Sequence, residues 1–280
     1  MNVDEFKDIV YAKDDHGIVT VTLNTPKRKN ALSVYTFLEL WWAVETMAKD
    51  DGAHVMIITG AKDPTSNDPT KEAFSSGGYF NPDATANLSD DIKAQIDFTD
   101  IAQKRLTVRM WELDKPVIAA VNGLCIGGAF TMCLSCADMI YISEYAWASL
   151  PFVGLGIIPE LASSYLLPRL IGFQRAKEIM YFGERYTAQQ LFELGLVNKV
   201  LPHDELIPYT YERALKLIPP QAAGWAVREC KRTLHEPLLK AITTALDREN
   251  VGLNRAFTTA DFTEALLARM EKRAPIFHGK

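Results

Sequence analysis

The sequence predicts an α/β fold with a largely parallel sheet, on three observations. Short β-branched or apolar runs occupy 18–23, 54–59, 117–121 and 138–143, and the later ones lack the polar alternation of a strand with one face in water. Helical patterns of about ten to twenty residues lie between the runs, as in strand–helix–strand crossovers. Beyond about residue 200 strand-like runs stop and helical patterns take over.

The elements follow in order. Ile18-Val19-Thr20-Val21-Thr22-Leu23 alternates as a strand does, and Asn24-Thr25-Pro26 ends it. A helix is expected from about Ser33, a plausible N-cap, to Asp50, because Phe37, Leu40, Trp41, Val44 and Met47 recur at three- and four-residue spacing. His54 to Thr59, closed by Gly60, reads as a buried strand, then a helical stretch over 91–113, then Val117 to Val121 after Lys115-Pro116, and a further strand over 138–143. Helices are expected over 204–217, 221–234, 237–254 and 259–271. The chain thus divides into a core, 1–200, and a C-terminal helical region, 201–280, expected to serve oligomerisation and to cover an active site, its own or a neighbour's. No internal repeat or low-complexity linker is visible.

Composition bounds the function. A chain of 280 residues that is 48% hydrophobic has ample material for a core. A net charge of −5 without a contiguous basic tract argues against nucleic acid. No run of about eighteen apolar residues is present, and the acidic N-terminal segment lacks a signal-peptide core, so the expectation is a cytoplasmic protein that does not enter a membrane. Cys125, Cys133 and Cys136 fall in what reads as one apolar helix-like segment and behave as small hydrophobes, with Cys230 apart. The Cys133-x-x-Cys136 pair has no second pair beside it, and His16, His54, His203, His235 and His278 are scattered, so no metal site and no separate cofactor are expected.

One segment stands out chemically. From Tyr145 to Pro168 the sole ionisable side chain besides two tyrosines is Glu160. A carboxylate among apolar residues is costly to keep charged unless something pairs with it or uses it. Pro159-Glu160 is also an ordinary helix start, with an acid facing the helix dipole. About thirty residues earlier, Gly127-Gly128 opens a helix-like run, where backbone N–H groups can face an anion, although such a pair also marks plain turns. Together they suggest a base and an oxyanion hole.

Five segments in order resemble the enoyl-CoA hydratase/isomerase, or crotonase, superfamily over nearly the whole chain. Asn24-Thr25-Pro26-Lys27-Arg28-Lys29-Asn30-Ala31-Leu32-Ser33 is similar to the family's segment near the CoA adenine and phosphates, and Ala73-Phe74-Ser75-Ser76-Gly77-Gly78 to its first oxyanion loop. Lys115 to Gly123 with Gly127-Gly128-Ala129 resembles the strand, turn and helix start that carry the second, and Phe257-x-x-x-Asp261-Phe262-x-Glu264-Ala265 and Glu271-Lys272-Arg273-Ala274-Pro275-x-Phe277 resemble the closing helix and tail.

The resemblance implies a crotonase-like core of repeated ββα/βα units with a C-terminal helical extension, an acyl-CoA thioester as substrate with CoA as part of it, and a homotrimer or dimer of trimers. It implies that the amides of Gly78 and Gly128 hold an enolate oxygen. It further implies substrate contacts by Lys27, Arg28, Ala31, Ser76, Tyr79, Phe80, Gly127, Thr131, Phe152 and Lys272, the last in its own subunit's pocket or a neighbour's. Hydratases of the family resemble one another in using two glutamates, and those places here read Thr131 and Phe152. Glu160, after Ile157-Ile158-Pro159, is placed as in single-base 3-enoyl-CoA isomerases, so isomerisation with Glu160 as proton shuttle is expected. A hydratase would need another acid, such as Asp83 or Glu112, and a hydrolase a water held by Tyr79 or a histidine. A non-catalytic acyl-CoA-binding protein is the alternative of another class.

Overall fold

The computed structural model describes residues 1–79, 83–86 and 88–280. Its strands are β1 (Ile9–Lys13), β2 (Ile18–Leu23), β3 (Val55–Gly60), β4 (Ala73–Ser75), β5 (Val117–Val121), β6 (Leu124–Ile126), β7 (Met139–Ser143), β8 (Trp147–Ser149), β9 (Tyr186–Thr187) and β10 (Lys199–Leu201). They form a six-stranded sheet in the order β1-β2-β3-β5-β7-β10 and a four-stranded one in the order β4-β6-β8-β9. The helices are α1 (Val34–Lys49), the single turns α2 (Asp83–Ala86) and α3 (Asp90–Lys93), α4 (Lys104–Glu112), α5 (Gly128–Cys136), α6 (Ser163–Ile171), α7 (Phe173–Phe182), α8 (Ala188–Glu193), α9 (Leu206–Leu215), α10 (Gly224–Ala256) and α11 (Ala260–Glu271).

The large sheet is parallel except at its first edge, where β1 returns antiparallel on β2 from Ile9↔Leu23 to Lys13↔Val19. Its parallel registers run through Ile18↔Val55, Met56↔Val117, Ile118↔Met139 and Tyr141↔Lys199. Both faces are covered, which explains the missing polar alternation. Val55, Ile57, Ile118 and Ala120 pack with Leu206, Ala214 and Ile218. Met56, Ile58, Val117 and Ala119 face the main core with Leu40, Met47, Leu106, Met110 and Phe130. The helix α1 begins as its sequence predicts, the Ser33 hydroxyl accepting from the Thr36 N–H at 3.0 Å.

The small sheet was not legible in the sequence. Each of β4, β6 and β8 has three residues, too short for an alternating pattern. Each follows a strand of the large sheet and leads toward a helix, so β3–β4, β5–β6–α5 and β7–β8–α6 repeat one ββα unit. The repeat that the sequence hides is therefore one of topology. Cys125 lies on β6, apart from the helix that holds Cys133 and Cys136.

Two helical expectations need correction. The stretch 91–113 breaks into α3 and α4, because Asp97 accepts from Thr99 while Asp100 accepts from the Lys104 and Arg105 N–H groups and starts a new helix there. Conversely 221–234 and 237–254 fuse into the 33-residue α10, with Pro237 inside. Proline removes one helical bond, but both halves are fastened: Lys231 Nζ donates to Asp138 at 2.7 Å and to the Lys115 carbonyl at 2.9 Å, and Leu246, Glu249 and Leu253 are buried. Among the described residues no helix is long and apolar enough to cross a membrane.

Candidate active site

Three loops leaving the small sheet converge. After β4 the chain makes Ser76-Gly77-Gly78, after β6 it makes Gly127-Gly128, and after β8 it runs through Phe152 to Glu160 and α6. Gly77 has φ +84°, and a Cβ there would lie 2.4 Å from the Ile126 carbonyl oxygen, so the first two loops touch backbone to backbone. Leu32 N–H donates to the Gly77 carbonyl and Tyr79 N–H to the Leu32 carbonyl, both at 2.8 Å, while Gly127 N–H donates to the Ser149 carbonyl at 2.8 Å. These bonds fix the residues on either side of the Gly78 amide and the residue before that of Gly128. Among the described residues the N–H groups of Gly78 and Gly128 have no acceptor, and both glycines line the same cavity. Gly128 is also the first residue of α5, where the helix dipole adds to its pull on an anion.

Glu160 faces this pair. It is 9% exposed, its Oε1 accepts from the Thr131 hydroxyl at 3.0 Å, and the same oxygen would be 3.0 Å from a Cβ on Gly128. No described residue donates to its Oε2. Burial pushes the Glu160 carboxyl up to about 8, against the Thr131 hydrogen bond and with help from the charge of Glu249. The Thr131 hydroxyl is also 3.3 Å from the Gly127 carbonyl. Its single proton can go to an ionised Glu160, or to that carbonyl while Thr131 accepts from the protonated acid, so both states have a partner.

The sequence leaves open whether Glu160 is a helix-start residue. It lies before the helix: α6 begins at Ser163, behind Leu161 and Ala162 at φ +57° and +58°. Left-handed conformations at two non-glycine residues cost about 1–2 kcal/mol each. They are held by Leu161 N–H on the Ala102 carbonyl at 3.2 Å, by the Ser163 hydroxyl on the Glu160 carbonyl at 2.7 Å, and by the Glu249 carboxylate, which accepts from the N–H groups of Ala162 at 2.8 Å and Ser164 at 3.0 Å. Desolvation, rather than a helix dipole, decides the acidity of Glu160.

The cavity between these loops measures about 750 Å³, ample for a small-molecule site. Of the residues singled out in the sequence, Ser76, Gly78, Tyr79, Gly127, Gly128, Phe152 and Glu160 line it. Thr131 stands behind Glu160. Lys27 is exposed and outside the lining, Ala31 is buried behind it, and Arg28 pairs with Asp8 at 3.2 Å and lies over the Tyr79 ring; the lining cation of this trio is Lys29. Lys272 caps the end of α11 outside the lining, because the chain turns there and presents Arg269 and Arg273 instead. Phe80 and the side chain of Asp83 lie outside the described residues.

Sequence reasoning missed Lys29 as the inward member of its cluster, Trp147, and the closing wall of Leu253, Phe257 and Ala265. The wall comes from α10 and α11 of the same chain, with Gly156 against the backbone of Phe262. The C-terminal region thus supplies one wall of the cavity in its own chain. Glu112 is exposed on α4 outside the cavity, and no histidine lines it. Asp97 and Asp100 line it but already accept bonds from Thr99 and from Lys104, Arg105 and Asn250. Among the described residues no group of three or more histidines, cysteines or acids is placed to hold a metal.

Comparisons with known proteins identify the family. Residues 13–280 match the model of the enoyl-CoA hydratase/isomerase family. A crotonyl-CoA hydratase of Syntrophomonas wolfei is 32% identical over 276 residues, 98% of this chain and 99% of that protein. A 2,3-dehydroadipyl-CoA hydratase of Escherichia coli is 30% identical over 263 residues, covering 94% and 96%. The crystal structure of an enoyl-CoA hydratase/isomerase from Pseudoalteromonas atlantica superposes with a TM-score of 0.82 at 28% identity, over 97% of this chain and 100% of that one. Two orphan glycine amides, a buried carboxyl facing them and a match along almost the entire chain lead to one conclusion: this protein belongs to the enoyl-CoA hydratase/isomerase family.

Proposed function

We infer that the protein moves the double bond of a 3-enoyl-CoA thioester to position 2, with Glu160 as its acid–base group. Ionised Glu160 takes a proton from C2. The electrons of that C–H bond delocalise over C2–C4 and onto the thioester oxygen, where the N–H groups of Gly78 and Gly128 receive the charge. Glu160 then returns the proton to C4, leaving the double bond between C2 and C3. A carboxyl near 8 is a stronger base than an ordinary one and is still available near neutral pH.

The observation that carries this reading is that, among the described residues, Glu160 is the acid set against the Gly128 amide, while the two positions that resemble those of the family's paired hydratase glutamates read Thr131 and Phe152. The walls formed by Phe152, Leu155, Ile157, Leu253 and Phe257 disfavour an ordered water beside it. The second reading is hydration, supported by the names of the relatives, among them a crotonyl-CoA hydratase and a short-chain-enoyl-CoA hydratase of Clostridium acetobutylicum. By name alone the relatives favour hydration over migration. The experiment is turnover of a matched 3-enoyl-CoA and 2-enoyl-CoA pair by wild type and Glu160→Gln, following migration and water addition separately. Migration abolished by the substitution, with little hydration in either protein, is expected; hydration that dominates in the wild type would install the second reading.

A further inference from the structure

A second carboxylate is buried behind the first, and the chemistry above does not use it. Glu249 lies in the C-terminal third of α10 and is 2% exposed. Its Oε2 accepts from the Ala162 N–H at 2.8 Å, and its Oε1 accepts from both the N–H and the hydroxyl of Ser164. These donors grip the left-handed turn at Leu161-Ala162, next to Glu160. The neighbouring Asn250 holds the opposite side of the same turn: its Oδ1 accepts from the Ala102 N–H at 2.7 Å, and the Ala102 carbonyl accepts from Leu161 N–H.

We propose that Glu249 is the positioning residue of Glu160: from α10 it ties down the turn that aims the catalytic carboxylate at the Gly128 amide, and its fixed charge acts on that carboxylate. The proposal rests on Glu160 being the acid–base group. The donor set suits an ionised Glu249, since three donors point at its oxygens and hydrogen bonds to a carboxylate favour its charged form. Burial pushes the Glu249 carboxyl up, and the bonds from Ser164 and Ala162 oppose that. Glu249 is the charged side chain that acts on Glu160.

The other charged groups on the surrounding elements are engaged elsewhere. On α10, Asp247 pairs with Lys104 of α4 and Arg248 is exposed. On α6, Arg169 lies over the Tyr165 ring, and ahead of α4, Asp100 accepts from Lys104, Arg105 and Asn250. On α4, Arg105 lies over Trp41 and Arg109 pairs with Glu45. From α5 come Thr131 and the buried thiols of Cys133 and Cys136, and after α11 Arg273 is paired with Glu264. A like charge behind the base disfavours its ionised form, which makes Glu160 a stronger base.

The test reads the protonation of Glu160 directly. Its acid C=O infrared band is identified by its loss in Glu160→Gln and titrated in free wild type, E249Q and E249D, alongside kcat and melting temperature. In E249Q the charge is gone and the amide N–H₂ opposes the Ala162 donor: the midpoint is expected to fall by roughly one pH unit, and kcat by roughly tenfold or more. In E249D the charge stays but the shorter side chain cannot reach both amides, so the midpoint is expected to remain while kcat falls. A midpoint unmoved in folded E249Q overturns the proposal. So does an unchanged kcat in E249D, which decides the matter should E249Q fail to fold. If Glu160→Gln keeps full turnover, the catalytic assignment of Glu160 fails instead, and the infrared midpoints still report whether Glu249 acts on it.

Discussion

The two sheets of this protein divide its labour. In the large sheet all six residues of β3 and all five of β5 are buried, and no strand of that sheet lines the cavity. The small sheet is built from strands of three residues and less, yet the loops leaving β4, β6 and β8 carry both orphan amides and Glu160. Burial of long apolar strands supplies stability, and short strands with glycine loops place backbone N–H groups where a reaction needs them. Damage to one sheet should therefore lower stability with the chemistry intact, and damage to the loops of the other should do the reverse.

The sharpest test of that division is Glu160→Gln, for which turnover is expected to drop about 10³-fold. In the wild type, kcat/KM should rise with pH toward a plateau above about 8, because the base is active only when ionised. Next comes Gly128→Ala, whose Cβ would meet Glu160 Oε1 at 3.0 Å at a residue that needs no left-handed backbone. It should lower kcat about 10²-fold while the melting temperature barely moves. A large loss of stability there would break the comparison from the small-sheet side. On the large-sheet side, Ile57→Ala, buried against the layer of α9, should cost about 2–4 kcal/mol in denaturant unfolding with kcat and KM preserved.

A subtler consequence is that the buried Glu160 carboxyl should itself weaken the fold. The folded value of Glu160 is raised to about 8 from an ordinary 4.5, so the stability that its neutral form brings is complete below 4.5 and is lost as pH rises through 8. Glu160→Gln removes that loss, and its stability gain over wild type should grow between those limits to on the order of a few kcal/mol. Unfolding midpoints at pH 5 and pH 9 measure it, and a gain that does not increase with pH contradicts the burial argument. The smallest effect expected is at Lys29, one of the cations lining the cavity: Lys29→Ala should raise KM a few-fold with kcat unchanged, as for a single exposed charge facing an anionic part of the substrate.

Much of the large sheet was legible because two-sided burial writes itself into the sequence as continuous apolar runs such as Val117 to Val121. The edge strand β1 escaped notice: it is five residues long, and Ile9 is its one buried residue. Glu160 was legible from its isolation among apolar residues and from family likeness, and Gly128 from its pairing with Gly127. Glu249 was not, because one acid in a charged helix, next to Arg248 and not far from Asp247, reads as solvated surface until the helix is docked. That Lys29, and not Lys27 or Lys272, lines this cavity was illegible for a related reason: neighbouring basic residues look alike in sequence, and the direction each takes depends on the left-handed residues Lys29 and Lys272 themselves.

The central claim is that a single buried carboxyl carries the proton from C2 to C4. It is tested most directly with a 3-enoyl-CoA labelled with deuterium at C2 and turned over in ordinary water, with the product examined for label at C4. One shielded base predicts that a measurable fraction of the deuterium arrives at C4 and that this transfer vanishes in Glu160→Gln. Hydrogen at C4 drawn wholly from solvent, or a 3-hydroxyacyl product in place of the 2-enoyl one, would contradict the account.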